Sequence, residues 1–167
     1  MKSLELKQIE ELNSPTYGRL KLPQVIERII EFVQTEPDQQ YRIIIGTDSQ
    51  DHNSKGTEFV TALVVHRVGG GGIYFWRGYR KTHPYAIKER IYEEALASID
   101  FANDFILSLK SAPQLLEIGL EIHVDIGENG LTRDIITEVV AMVQGNGYDV
   151  KVKPESFGAS KVADRHA

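Results

Sequence analysis

Two aspartates stand where apolar runs give way to turn-forming residues. Asp48 lies in Ile45-Gly46-Thr47-Asp48-Ser49-Gln50 and Asp125 in His123-Val124-Asp125-Ile126-Gly127. Carboxylates held close together repel and resist ionisation unless a cation lies between them. Hard divalent ions such as Mg2+ or Mn2+ accept that kind of all-oxygen ligand set. Either aspartate alone reads equally well as a turn former or helix cap; the pairing of two at strand ends is what points to a metal. Asp164, in Val162-Ala163-Asp164-Arg165-His166, is a third candidate, although a charge there also suits a solvated helix face. A fourth comes from Glu89, Glu93 or Glu94. Glu94 is i+3 from Ile91 and i+7 from Ile87, so it borders an apolar stripe, whereas Glu89 and Glu93 turn toward water. Glu94 is the choice, with Glu93 as the alternative, and the small Ala97 and Ser98 allow close packing beside it. His123 shares a strand face with Asp125 but reads better as a hydrogen-bonded strand histidine than as a ligand. His83 reads as a loop residue, and His166 as part of a frayed terminus or an aid to proton transfer.

The elements that must position these groups follow from periodicity. Pro23 opens an amphipathic helix carrying Val25, Ile26, Ile29, Ile30 and Val33 on one side, and Pro37-Asp38 ends it. Tyr41 to Asp48 reads as a buried central strand, Ser49 to Gly56 as a loop, and Phe59 to Val68 as a second strand. Gly69 to Gly72 connects to a third strand, Ile73 to Tyr79, completing an antiparallel meander. Thr82 is placed to cap a helix from near Pro84 to about Lys110, with Ile87, Ile91, Ala95, Ala102, Phe105 and Leu109 buried. Ile118 to Ile126 is a fourth strand, Leu131 to Val143 a helix, Tyr148 to Val152 a fifth strand and Phe157 to His166 a final short helix. The first 20 residues show turn signals at Asn13-Ser14-Pro15 and Tyr17-Gly18 and no assigned strand. The order predicts an α/β fold: a mixed five-stranded sheet with helices on both faces. Residues 1–40 read as an N-terminal segment whose amphipathic helix packs on a domain formed by 41–167.

Bulk properties narrow the partners. The 167 residues suffice for a single core, and 41% hydrophobic with 26% charged residues is ordinary for a soluble globular protein. The absence of cysteine excludes disulfides and thiolate metal sites. No apolar run approaches the roughly 20 residues of a membrane span. Met1-Lys2-Ser3-Leu4-Glu5 lacks the apolar block of a signal peptide, so a cytoplasmic location is expected. A net charge of -5 argues against a general nucleic-acid binder. Carboxylates gathered for metal binding add to that acidity, and the bound cations reverse the local field. Arg77, Arg80, Lys81, Lys88 and Arg90 form a basic stretch that could contact phosphates.

Taken together, these motifs resemble the ribonuclease H-like superfamily. Thr47-Asp48-Ser49 on the first strand, an acidic residue on the long helix, Asp125 on the fourth strand and Asp164 on the last helix carry the resemblance. The stretches Asp125-Ile126-Gly127-Glu128-Asn129-Gly130, Thr132-Arg133, Lys153-Pro154 and Val162-Ala163-Asp164 are similar to the bacterial YkuK-type branch. The resemblance implies a metal-dependent nuclease acting on RNA, RNA/DNA hybrid or DNA through two Mg2+ or Mn2+ ions. By position it assigns Asp48, Glu94, Asp125 and Asp164 as catalytic metal ligands, with Glu94 deeper in its helix than the family pattern. A non-catalytic nucleic-acid- or protein-binding module on the same fold is the alternative. A sugar-kinase-like nucleotide site at Asp125-Ile126-Gly127 would need a duplicated core far longer than this chain.

Overall fold

The computed structural model describes residues 10–127 and 133–156. Its elements are β1 (Glu11–Ser14), β2 (Gly18–Lys21), α1 (Leu22–Thr35), β3 (Tyr41–Asp51), β4 (Thr57–Arg67), β5 (Gly72–Lys81), α2 (Ile87–Ser108), β6 (Gly119–His123), α3 (Ile136–Gly145) and β7 (Asp149–Lys151). They build one sheet in the order β2-β1-β5-β4-β3-β6-β7. The meander β3-β4-β5 is antiparallel, while β6 joins β3, and β7 joins β6, in parallel.

Seven strands replace the five expected. The two extra ones form an N-terminal hairpin whose β1 pairs with the outer edge of β5 at Asn13↔Trp76. Each is four residues long, with Leu12 and Leu20 as its buried side chain. One apolar residue per strand is too little for a period-two pattern, and only the turn between them, with Gly18 at φ 70, is marked in the sequence.

Alternation along β3 sorts the sheet into two faces. Ile43 and Ile45 join Leu63, Val65, Phe75 and Ile122 in the larger core. The described helices contribute to that same core through Val25 and Ile29 of α1, Ala95, Ala102 and Phe105 of α2, and Val139 and Val143 of α3. Ile44, Val60 and Ala62 form a smaller cluster on the other face, with Val64 and Trp76 against it.

Boundaries shift for local reasons. β3 continues through Ser49, Gln50 and Asp51, which pair with Phe59, Glu58 and Thr57, so the loop is confined to His52–Gly56. Backbone pairing carries the polar residues onward although side-chain pattern had ended. Helix α2 begins at Ile87 with Ala86 at its N-cap and no side-chain cap there, so Thr82 does not cap it. Ile87, in the first turn, is 50% exposed instead of buried. β6 ends at His123, three residues early, and Arg133–Ile135 is a 3-10 turn leading into α3. Residues 157–166, expected to form the last helix, lie outside the described residues, as do Asp164 and His166.

The β3–β4 turn is fitted tightly against the strand beside it. Gly56 has φ +90, and a Cβ there would stand 2.2 Å from the Lys81 carbonyl oxygen. Gly56→Ala therefore meets both backbone strain and a collision with main chain that cannot rotate away. The expected cost is about 3 kcal/mol, readable as a lower midpoint in urea unfolding; an unchanged midpoint would contradict it.

Candidate metal centre

The parallel ladder between β3 and β6 reaches Gly46↔His123. Beyond it β3 stays paired to β4 through Thr47, Asp48 and Ser49, while the chain after β6 turns. The sheet thus opens at the carboxyl ends of two adjacent parallel strands, where α/β sheets hold ligands. Asp48 and Asp125 each lie two residues past that last pair. Ile126 N donates to Val124 O at 2.9 Å, an i→i−2 bond that places Asp125 at the centre of a γ-turn. Val124 N donates to Lys151 O and Lys153 N to Ile126 O, each at 2.9 Å, pinning both flanks to the chain around the end of β7. Asp125 is thus the tip of a bulge braced on either side, a device that redirects a side chain next to a site.

Helix α2 is stitched to β3 by a small polar ladder. Thr47 and Ser49 point to the helix side of the strand, and Glu94 and Ser98, one turn apart, point back. The Thr47 hydroxyl lies 2.8 Å from Ser98 Oγ and 2.9 Å from Thr61 Oγ1. The Ser49 hydroxyl donates to Glu94 Oε1. Glu94 is only 7% exposed. Burial pushes its carboxyl up to about 8; the Ser49 hydrogen bond and Arg90 pull it down, and the charges of Asp48 and Asp125 push it further up. Glu94 on α2 therefore feels the charges of Asp48 on β3 and of Asp125 in the turn after β6.

Glu93, the alternative helix carboxylate, instead pairs with Lys81 at 3.0 Å. Asp125 Oδ1 is 3.0 Å from Lys153 Nζ. His123, 6% exposed, is a hydrogen-bonded strand histidine: Nε2 is 2.9 Å from Glu121 Oε2, and Glu121 pairs with Arg42 at 3.4 Å. Burial lowers its pKa, opposed by Glu121, and Nδ1 finds no hydrogen-bond partner among the described residues.

The donor chemistry suits a hard cation: carboxylate oxygens, one of them buried where its own charge is disfavoured. As the side chains stand, no three acidic or imidazole groups among the described residues are gathered closely enough to hold an ion. Ser49 occupies one Glu94 oxygen and Lys153 one Asp125 oxygen, and gathering the carboxylates on one ion requires side chains to turn.

The basic stretch is largely spent on internal contacts. Arg80 pairs with Glu58 at 3.6 Å and Lys81 with Glu93. Arg77 packs its guanidinium 5.2 Å from the Phe101 ring centre, beneath α2. The three cations of β5 thus do not form one row, because alternate residues of a strand face opposite sides.

Comparison with known proteins bears on this site. The family described as Ribonuclease H-like matches residues 24–167. The chain belongs to the ribonuclease H-like family. It is also 32% identical over 158 residues to the Bacillus subtilis (strain 168) protein "Uncharacterized protein YkuK", covering 89% of this chain and 91% of that one. No solved structure matches it. The ribonuclease H-like match reaches from α1 past the end of β7, so it takes in all four carboxylates assigned from the sequence, with Asp164 outside the described residues. No helix among the described residues is long and apolar enough to cross a membrane.

Sequence reading missed Ser49, Ser98, Thr61 and Lys153 as parts of the site. Ser49 and Ser98 carried a signal, being spaced i+2 from Thr47 and i+4 from Glu94. Lys153 stands in the Lys153-Pro154 stretch, but only the fold brings it to Asp125.

Proposed function

We propose that this protein is a divalent-metal-dependent nuclease that hydrolyses phosphodiester bonds of RNA, RNA/DNA hybrid or DNA. The observation that carries the reading is Glu94: a buried carboxyl group, braced by Ser49 and pressed by the charges of Asp48 and Asp125. A structural role alone would favour an apolar residue there, because a buried carboxyl group must be hydrogen-bonded and costs several kcal/mol to ionise. Asp48, Glu94 and Asp125, with Asp164, are the proposed ligands for two Mg2+ or Mn2+ ions. When bound, such ions supply an activated water and stabilise the leaving 3′ oxygen. The chain's own part is positional. The β3–β6 opening presents Asp48, the γ-turn presents Asp125, and the Thr47–Ser98 bond fixes the register in which α2 offers Glu94.

Incubation of the protein with labelled RNA, DNA and RNA/DNA hybrid, with Mg2+ or Mn2+ and then with EDTA, tests this. Metal-dependent cleavage of at least one substrate is expected. Absence of cleavage, together with no Mn2+-dependent rise in melting temperature, would leave the second reading: a non-catalytic nucleic-acid- or protein-binding module on this fold. The net charge of -5 and the internal pairing of Arg80 and Lys81 favour that alternative.

A further inference from the structure

The geometry points to Lys153 as an exchangeable counter-ion of the carboxylate site: it neutralises Asp125 in the metal-free protein and gives up that carboxylate to the metal, turning its ammonium to a substrate phosphate. This rests on the metal reading above. Lys153 Nζ lies 3.0 Å from Asp125 Oδ1. Its main chain is fixed by the bond from Lys153 N to Ile126 O at 2.9 Å, so the backbone stays beside the turn whatever the side chain does. The first part of the side chain packs over Gly127, where an added Cβ would sit 3.4 Å from Lys153 Cβ and 3.6 Å from Cδ. A glycine directly after Asp125-Ile126 thus leaves room for the lysine stem to run toward the aspartate.

The head of this lysine differs from the other cations near the carboxylates. Arg90 acts on buried Glu94, and Lys81 is paired with Glu93 away from the site. Lys153 is paired directly with a proposed ligand, yet its side chain is 59% exposed. It can leave without a desolvation penalty. A flexible ammonium is also a point charge with three rotatable donors, suited to follow a phosphate as it arrives. The ammonium that pairs with Asp125 must oppose a divalent ion at that carboxylate and attract a polyanion there, so two measurable affinities should move in opposite directions when it is removed.

Lys153→Met and Lys153→Arg, compared with the unmodified protein, provide the test. In calorimetric titration with Mn2+ alone, Lys153→Met should bind on the order of tenfold more tightly, through loss of one repelling charge at contact range. In fluorescence anisotropy with a labelled RNA/DNA hybrid in Ca2+, the same variant should bind more weakly, with a log–log salt slope shallower by about one. Lys153→Arg should retain the slope of the unmodified protein. Mn2+ binding that is detectable only in Lys153→Met also supports the exchange. Equal or weaker Mn2+ binding by Lys153→Met with an unchanged melting curve overturns it while leaving the metal reading intact. An unchanged salt slope overturns the phosphate half. No Mn2+ heat in any of the three proteins overturns the exchange and the metal reading together.

Discussion

Glu94→Gln raises the stability of the metal-free protein at pH 8.5 and leaves it nearly unchanged at pH 4. The sign follows from where the proton sits. Folded Glu94 keeps its proton up to about 8, whereas the ordinary value, which the unfolded chain adopts, is 4.5. Between those limits the folded state binds more protons than the unfolded state, so stability falls as pH rises. The contribution is whole below 4.5 and lost above about 8. The loss is on the order of 4 kcal/mol. Glutamine keeps an oxygen to accept the Ser49 hydroxyl and never ionises, so the variant's profile should lack this fall. Mn2+ should reverse the effect in the unmodified protein: a cation favours the ionised carboxylate, and binding below pH 8 should release a proton. Urea midpoints taken across pH, with Mn2+ and with EDTA, give both curves. Parallel metal-free profiles for the two proteins would show that Glu94 ionises without penalty, and the central support for the metal centre would go.

The legibility of such a site in the sequence depended on how local each determinant is. The meander was readable because Ile43 to Ile45 and Phe59 to Val65 are buried runs, and Ile73 to Tyr79, which buries only Phe75, is still a run of bulky strand formers after a glycine turn. The N-terminal hairpin was not, since each of its strands buries one leucine and borrows stability from β5. Glu94 was readable from helix geometry: its spacing from Ile91 sets it against the core regardless of what lies across from it. Ile87 obeys the same spacing and is exposed, because periodicity does not say where a helix begins. The γ-turn at Asp125 and the approach of Lys153 were beyond reach. Both depend on hydrogen bonds between the turn after β6 and the end of β7, segments about 27 residues apart in a chain whose pairing only the finished sheet decides. Asp48 is a strand end only with respect to β6; toward β4 the strand runs on.

That double character of Asp48 underlies the largest expected loss of activity. If the proposed nuclease reading holds, Asp48→Asn should reduce cleavage on the order of a thousandfold or more, since removing a proposed ligand's charge forfeits several kcal/mol of charge stabilisation in the transition state. Asp48 is paired by backbone to Val60, whose side chain is fully buried, so the main chain cannot shift to bring another oxygen into its place. Asparagine is close in size and keeps that backbone pairing, so a folded, inactive protein is the expected product. Removal of one negative charge near Glu94 should also lower the pH at which Glu94 ionises, moving the stability fall of the metal-free protein toward acid. A merely structural aspartate predicts a different outcome: activity lost only in proportion to stability, with the pH profile in place. Cleavage rates and metal-free melting curves measured on the same preparation separate the two. Retention of full metal-dependent cleavage by Asp48→Asn would remove Asp48 from the reaction, and with it the reason for placing chemistry at the β3–β6 opening.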